Sequence, residues 1–407
     1  VIDYKVNERD LGARARKEPA VRLELDRVDV EATLQPVERA SMLPPAAFVD
    51  PAILAWELRN IFGDGWICAG HVSAVAEPGS YITREVGEES VMVVGGEDGR
   101  PRAFHNVCRH RGSRIIEDRE GSVRKRLRCP YHAWSYDLEG KLRAAPHMDE
   151  IEEFDPSCFG LREVRSAVIG GLVLIDLGGE AGPGEDHVGE LLPRLEHYSV
   201  EGLRRGGLLT YEVKANWKGI AENYNECLHC PGVHPELNAL SNYMSGEAHY
   251  GSGAWCGGSM TLVEGAETMG RDGGHAGARP PIAGLDDSDL RDILYLALFP
   301  NALVSLHPDY VMLHTLWPRE PGLTDVICEF FFEPATMDSP DFDPSDAVDF
   351  WNQVNGEDWH VCELAQKGAA SRGYTAGRYS AAEGDTHAFD SMVAARYMEA
   401  LREEATA

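Results

Sequence analysis

Two short runs carry the first chemistry, Cys108-Arg109-His110 and Cys129-Pro130-Tyr131-His132, separated by eighteen residues. Each offers one thiolate and one imidazole from a single tight loop. A [2Fe–2S] centre with two Cys on one iron and two His on the other needs that mixture, and its histidines raise the potential far above that of an all-Cys cluster. A structural zinc site could use the same four side chains. Zinc ribbons and fingers, however, normally place both cysteines in one loop and both histidines in another, so the mixed loops favour the cluster.

A second run, Glu226-Cys227-Leu228-His229-Cys230-Pro231-Gly232-Val233-His234, sets two histidines five positions apart, with Pro231 and Gly232 expected to break the helix between them. Two imidazoles and one carboxylate from elsewhere make a ferrous site with open positions for dioxygen. Glu357, Asp358 and Glu363 are the candidates for that carboxylate. On residue types alone, two histidines near a helix end could equally be surface residues, and Cys227-Leu228-His229-Cys230 could be a thiol redox or zinc motif. No second Cys-x-x-Cys exists in the chain, so both cysteines read as packing residues.

The elements that must position these groups belong to a 407-residue chain, 43% apolar, with net charge −29. Such a charge repels phosphate backbones and anionic headgroups, which argues against nucleic-acid and membrane-surface roles. No run approaches the ~20 apolar residues of a membrane span. The first residues lack a signal-peptide core, so a cytoplasmic location with reduced thiols is expected. Residues 1–45 read as a polar arm, followed by a helix from Pro51 to Asn60 with Asp50 as its cap. Short β-branched runs at Trp66–Ala69, Ser90–Val94 and Leu172–Leu177 predict a small all-β module. A larger part begins with a strand at Leu209–Lys214 and a helix at Trp217–Leu228. It continues through strands at Leu303–His307, Val311–Trp317 and Val326–Phe332, then helices at Ser345–Lys367 and Thr386–Glu404. Consecutive strands without intervening helices predict an antiparallel sheet flanked by helices, an α+β fold. Residues 264–287, rich in Gly, Ala, Asp and Pro, read as a lid or mobile loop.

A cluster-binding β module followed by a two-histidine site resembles the catalytic (alpha) subunit of Rieske non-haem iron oxygenases. The resemblance rests on Phe62-Gly63-Asp64-Gly65-Trp66, Cys108-Arg109-His110-Arg111-Gly112, Cys129-Pro130-Tyr131-His132-Ala133-Trp134-Ser135-Tyr136 and Glu226-x-x-His229-x4-His234, and covers nearly the whole chain. It implies an N-terminal arm and helix (1–60) packed on the catalytic domain, a Rieske [2Fe–2S] domain (61–178) and a catalytic mononuclear non-haem iron domain (179–407). Cys108, His110, Cys129 and His132 match the cluster ligands, and His229, His234 and Asp358 match the ligands of the mononuclear Fe(II). Glu226 stands where the family has an acid bridging one subunit's cluster histidine to the next subunit's iron histidine, which implies a homotrimer or a multiple of three. Glu at 226 and Ala at 133 resemble the branch that oxidises quaternary ammonium compounds such as glycine betaine, proline betaine and carnitine.

The resemblance further implies a monooxygenase that takes O2, receives electrons from NADH through a separate flavin/iron-sulfur reductase, and hydroxylates an N-methyl group with release of formaldehyde. A trimethylammonium head wants an aromatic cage, for which Trp255, Tyr295, Phe299, Tyr310 and Phe331 are candidate walls, while Asn301, His307 and His314 are candidates for a substrate carboxylate. The alternatives are an arene hydroxylase with the same metals and a non-catalytic Rieske electron carrier. The carrier leaves Glu226, His229, His234 and Asp358 unexplained.

Overall fold

Asp50 turns the chain into the Pro51–Asn60 helix by the chemistry expected of it: its carboxylate accepts the Ala52 N–H at 2.8 Å, and Pro51 sits in the first turn, where a missing N–H is harmless. The computed structural model describes residues 23–271 and 279–406. The expected arm is partly helical. Asp26 caps Arg27–Thr33 by accepting the Val28 N–H, and this helix packs on Gly384–Thr406. The first 22 positions of the arm lie outside the described residues.

Ten strands follow: β1 (Ile67–His71), β2 (Ser80–Val86), β3 (Glu89–Gly95), β4 (Pro101–His105), β5 (Glu120–Ser122), β6 (Leu127–Arg128), β7 (Ser135–Tyr136), β8 (Leu142–Ala144), β9 (Glu163–Ile169) and β10 (Leu172–Asp176). Seven form one sheet in the order β1-β10-β9-β4-β3-β2-β5, and β6-β7-β8 form a small second one. The Cys108 loop follows β4, and the Cys129 loop joins β6 to β7. A third sheet, ordered β11-β17-β16-β15-β14-β13-β12, contains β11 (Arg204–Val213), β12 (Glu247–His249), β13 (Trp255–Thr261), β14 (Asp292–Leu298), β15 (Ala302–Leu306), β16 (Val311–Glu320) and β17 (Leu323–Phe332). Its pairings are all antiparallel, and helices Ser345–Ala369 and Gly384–Thr406 flank it. Strand β13 escapes sequence reading because it carries Gly257-Gly258. A Cβ at either would run into the backbone of Tyr295 or Glu247, so close strand approach outweighs β-branching there.

The two large sheets share one apolar core, to which Ile67 and Val91 contribute from one side and Val213 and Leu316 from the other. Polar clasps close the seam. The Asn301 carboxamide accepts the Cys68 N–H at 2.9 Å and donates to the Cys68 carbonyl at 3.0 Å, as a neighbouring strand would. Arg205 reaches Glu120 and Glu329, each at 2.8 Å. His71 donates Nε2–H to the Val200 carbonyl at 2.9 Å, accepts the Ser73 N–H on Nδ1 and lies tilted against Phe331 at 4.2 Å. Burial pushes its pKa down to about 4, with the Val200 bond opposing. A histidine held neutral contributes stability that is full above about pH 6.5 and is lost as pH falls through 4, amounting to about 3 kcal/mol. His71→Asn should flatten that part of the acid-unfolding curve, read as denaturant midpoint against pH.

Three helices meet at a buried charge. Lys218 Nζ donates to Glu57 at 2.6 Å with both side chains fully buried, and the Trp217 indole and Tyr397 hydroxyl donate to the same carboxylate. The flanks of the expected 264–287 lid are clamped rather than free. Met269 is fully buried, Thr268 donates to Asp309, and the Arg279 guanidinium pairs with Asp309 and Asp346. The middle of that loop, residues 272–278, lies outside the described residues. Among the described residues no helix is long and apolar enough to cross a membrane.

Candidate metal centres and active site

Two turns of one kind present the first set of ligands. In each, a residue of positive φ, Gly112 (71°) or Ala133 (59°), donates its N–H to the carbonyl of the cysteine four positions earlier. Glycine does this freely, whereas alanine pays roughly 1–2 kcal/mol. Cys108 and Cys129 are buried. The Tyr136 hydroxyl lies 3.4 Å from Cys108 Sγ and accepts the Arg109 N–H. Burial pushes the Cys108 thiol up, with the Tyr136 contact opposing. The His110 and His132 rings meet edge to face at 4.7 Å, and Trp134 stacks on His110 at 4.8 Å. His110 Nδ1 is buried without a hydrogen-bond partner, an orphan that a metal bond would satisfy. Two buried thiols and two adjacent imidazoles fit a [2Fe–2S] cluster.

The second set is assembled from two places. Asn216 caps the Trp217–Tyr224 helix by accepting the Lys218 N–H. The chain then leaves the helix at Asn225, earlier than Leu228, and enters the loop that carries both histidines. Within it Cys227 and Cys230 pack in an apolar cluster, as expected, and are joined in a disulfide where reduced thiols were expected, closing the loop around His229. Pro231 does not break a helix there; it opens the short turn Cys230–Val233, and the break falls at His234. His229 Nδ1 is held by Glu226 at 2.6 Å and His234 Nδ1 by Glu357 at 2.7 Å. Both Nε2 atoms are thereby turned toward Asp358 Oδ1, at 3.2 and 2.7 Å. The three ligand atoms lie within 4.8 Å of one another.

Two imidazoles and a carboxylate, with the outer ring nitrogens fixed by carboxylates, fit a mononuclear ferrous ion. Burial works against a charged His229, but Asp358 and Glu226 outweigh it and hold its pKa up to about 9. Asp358 is kept below the usual carboxylate range against burial by the two histidines. Glu363 instead accepts the Lys214 N–H.

A cavity of about 410 Å³ opens on this triad, walled by Tyr224, Tyr295, Met312, His314, Trp351 and Trp359. Trp351, Asn355, Asp358 and Trp359 share one face of the Ser345–Ala369 helix, at i, i+4, i+7 and i+8. Tyr295 and His314 are the expected substrate residues that the structure places on the cavity. The Tyr295 hydroxyl is buried without a partner, as are both His314 ring nitrogens.

The others fall elsewhere. Trp255 packs beneath Arg194 and donates to the Ser252 carbonyl. Phe299 lies against Trp217 and Phe389, and Phe331 against His71. Asn301 is consumed by the seam. His307 is one layer behind the wall, stacked at 4.1 Å on Tyr310, whose hydroxyl donates to the Met269 carbonyl and accepts from Trp351. Large aromatics fill cores first. Helical spacing from Asp358 is the signal that finds Trp351, Asn355 and Trp359, which sequence reasoning missed.

Comparison with known proteins agrees with this geometry. Residues 65–155 match the Rieske [2Fe–2S] domain family and residues 200–399 the ring hydroxylating alpha subunit (catalytic domain) family. A glycine betaine monooxygenase oxygenase subunit from Chromohalobacter salexigens is 31% identical over 366 residues, covering 83% of this chain and 81% of the relative. The chloroplastic choline monooxygenase of Arabidopsis thaliana is 29% identical over 375 residues, covering 88% and 83%. Among solved structures, the quaternary ammonium Rieske monooxygenase CntA bound to L-carnitine shares the fold with a TM-score of 0.75 at 23% identity over 92% of this chain and 99% of that one. With two sheet-built units, two ligand sets and a relative of this similarity over most of its length, the chain belongs to the Rieske non-haem iron monooxygenases, which carry a [2Fe–2S] cluster and a mononuclear iron that uses O2.

Proposed function

We propose that the protein is the oxygenase component of a two-component system that oxidises an N-methyl group of a quaternary ammonium compound, releasing formaldehyde and the demethylated amine. The observation that carries this is the aromatic cavity ending on His229, His234 and Asp358; the names of the relatives point the same way. Aromatic faces attract a methylammonium by about 0.5–2 kcal/mol each, and Glu226, Glu247 and Asp385 add negative charge to the lining.

In this reading residues 61–178 receive electrons from a flavin/iron-sulfur reductase fed by NADH, residues 179–407 oxidise substrate, and the described part of the N-terminal segment, residues 23–60, packs on the latter. Cys108, His110, Cys129 and His132 hold the cluster, and His229, His234 and Asp358 hold the iron. Bound there, reduced iron supplies the activation of dioxygen for C–H hydroxylation. Glu226 fixes the His229 tautomer through Nδ1 and, in a ring of three subunits, links that histidine to a neighbour's cluster. Glu357 does the same orienting work for His234. Tyr224, Tyr295, Trp351 and Trp359 keep the cation desolvated and its methyl group toward the triad.

Mixing the anaerobically reduced protein with oxygen across a panel of methylammonium compounds and arenes tests the reading. Formaldehyde and a demethylated amine are expected; an oxidised arene without formaldehyde would replace it with ring hydroxylation. In the same experiment Glu226→Gln should keep both metal centres but slow cluster reoxidation roughly 10–100-fold. Unchanged rates would remove its bridging role.

A further inference from the structure

Apart from the iron triad of His229, His234 and Asp358, the charged side chains lining the cavity are Glu226, Glu247 and Asp385, and among the described residues no lysine or arginine lines it. The imidazole that could have met an anion, His314, is pushed down to about 4 by burial, with Asn355 and Asp358 opposing, so it stays neutral. His307 is buried behind the wall. A carboxylate entering this space beyond the iron triad therefore exchanges its hydration for the three acids Glu226, Glu247 and Asp385 and meets no lysine or arginine, an unfavourable transfer.

Asp385 sharpens the point. It stands in the first turn of the Gly384–Thr406 helix on the cavity lining, and its Oδ1 is buried without a hydrogen-bond partner. The Tyr250 hydroxyl is its polar neighbour, and burial raises its pKa to about 6 while the Tyr250 contact opposes. Strand β13 leaves room for this carboxylate: a Cβ on Gly258 would lie 2.9 Å from Asp385 Oδ2. A buried acceptor of this kind favours a hydroxyl or a cation and rejects an anion.

We infer that the substrate is a methylammonium cation that carries no carboxylate, of the N-methylated amino-alcohol class, and that Asp385 is the residue discriminating against betaines. The inference rests on the function proposed above and narrows it. It gives Asp385 the role of accepting a hydrogen bond from the end of the substrate remote from the reacting methyl group.

Binding to the anaerobic holoenzyme, followed by quenching of tryptophan fluorescence with Trp351 and Trp359 in the wall, separates the cases without turnover. Choline should bind at least about tenfold more tightly than glycine betaine or L-carnitine, and Asp385→Asn should shrink that ratio below about threefold, with betaine affinity rising. Betaine or carnitine binding as tightly as choline to the unaltered protein overturns this inference and leaves the proposed function standing. A ratio unchanged in Asp385→Asn overturns the assignment to Asp385. If no methylammonium compound binds, the proposed function falls and the inference with it.

Discussion

Asp358→Ala is expected to abolish turnover, by more than about 100-fold, while lowering iron from about three to about two per chain and leaving the visible and paramagnetic spectra of the cluster intact. The reason is local. Asp358 Oδ1 is the point on which both Nε2 atoms converge, and no other carboxylate can replace it, because Glu357 is engaged with His234 Nδ1 and Glu363 faces the Lys214 N–H. Glu357→Gln, which leaves the three ligand atoms in place, should cost only roughly 10–100-fold in iron affinity. Full iron content in Asp358→Ala, or loss of the cluster spectrum with it, would contradict the ligand assignment.

The largest effect on stability is expected far from either metal. Lys218→Met strands Glu57 in a fully buried site, and a lone buried charge of this kind costs about 3–5 kcal/mol. Burial pulls the Lys218 pKa down, opposed by Glu57, so the pair survives through its hydrogen bonds. Adding Glu57→Gln should recover most of the loss, since the buried charge is gone, an amide oxygen in the Oε2 position accepts the Trp217 indole N–H, and the NH2 in the Oε1 position can donate to the Tyr397 hydroxyl oxygen. Denaturant midpoints of the single and double variants measure both; a single variant as stable as the parent would show that the pair is not an obligate one.

How much of this was legible depended on whether the information was local. The candidate cluster loops stand out because Cys108, His110, Cys129 and His132 lie in two runs of three and four residues, and the Pro51–Asn60 helix because Asp50 and Pro51 start it by short-range chemistry. The proposed iron carboxylate could not be read from residue types. Glu357, Asp358 and Glu363 are equivalent until the helix phase and the resemblance to the family single out Asp358. The cavity wall was mostly missed, because Trp255, Phe299 and Tyr310 have the same composition signal as Trp351 and Trp359 and only packing tells them apart. Strand β13 was missed for the opposite reason: its glycines serve a backbone approach that exists only in the assembled sheet.

The seam between the two large sheets bears on modularity. A shared apolar core, the strand-like grip of Asn301 on Cys68, and Arg205 set between Glu120 and Glu329 mean that the electron-accepting half is not a detachable cartridge. Cutting the chain near residue 178 and separating the halves would expose Ile67 and Val91 to water and take Glu120 away from Arg205, leaving that guanidinium with Glu329 alone. Chimeras that exchange cluster units between relatives would therefore need the Asn301, Arg205 and His71 contacts transplanted together with the sheet, or the graft would trade its altered redox partner for an unsealed interface.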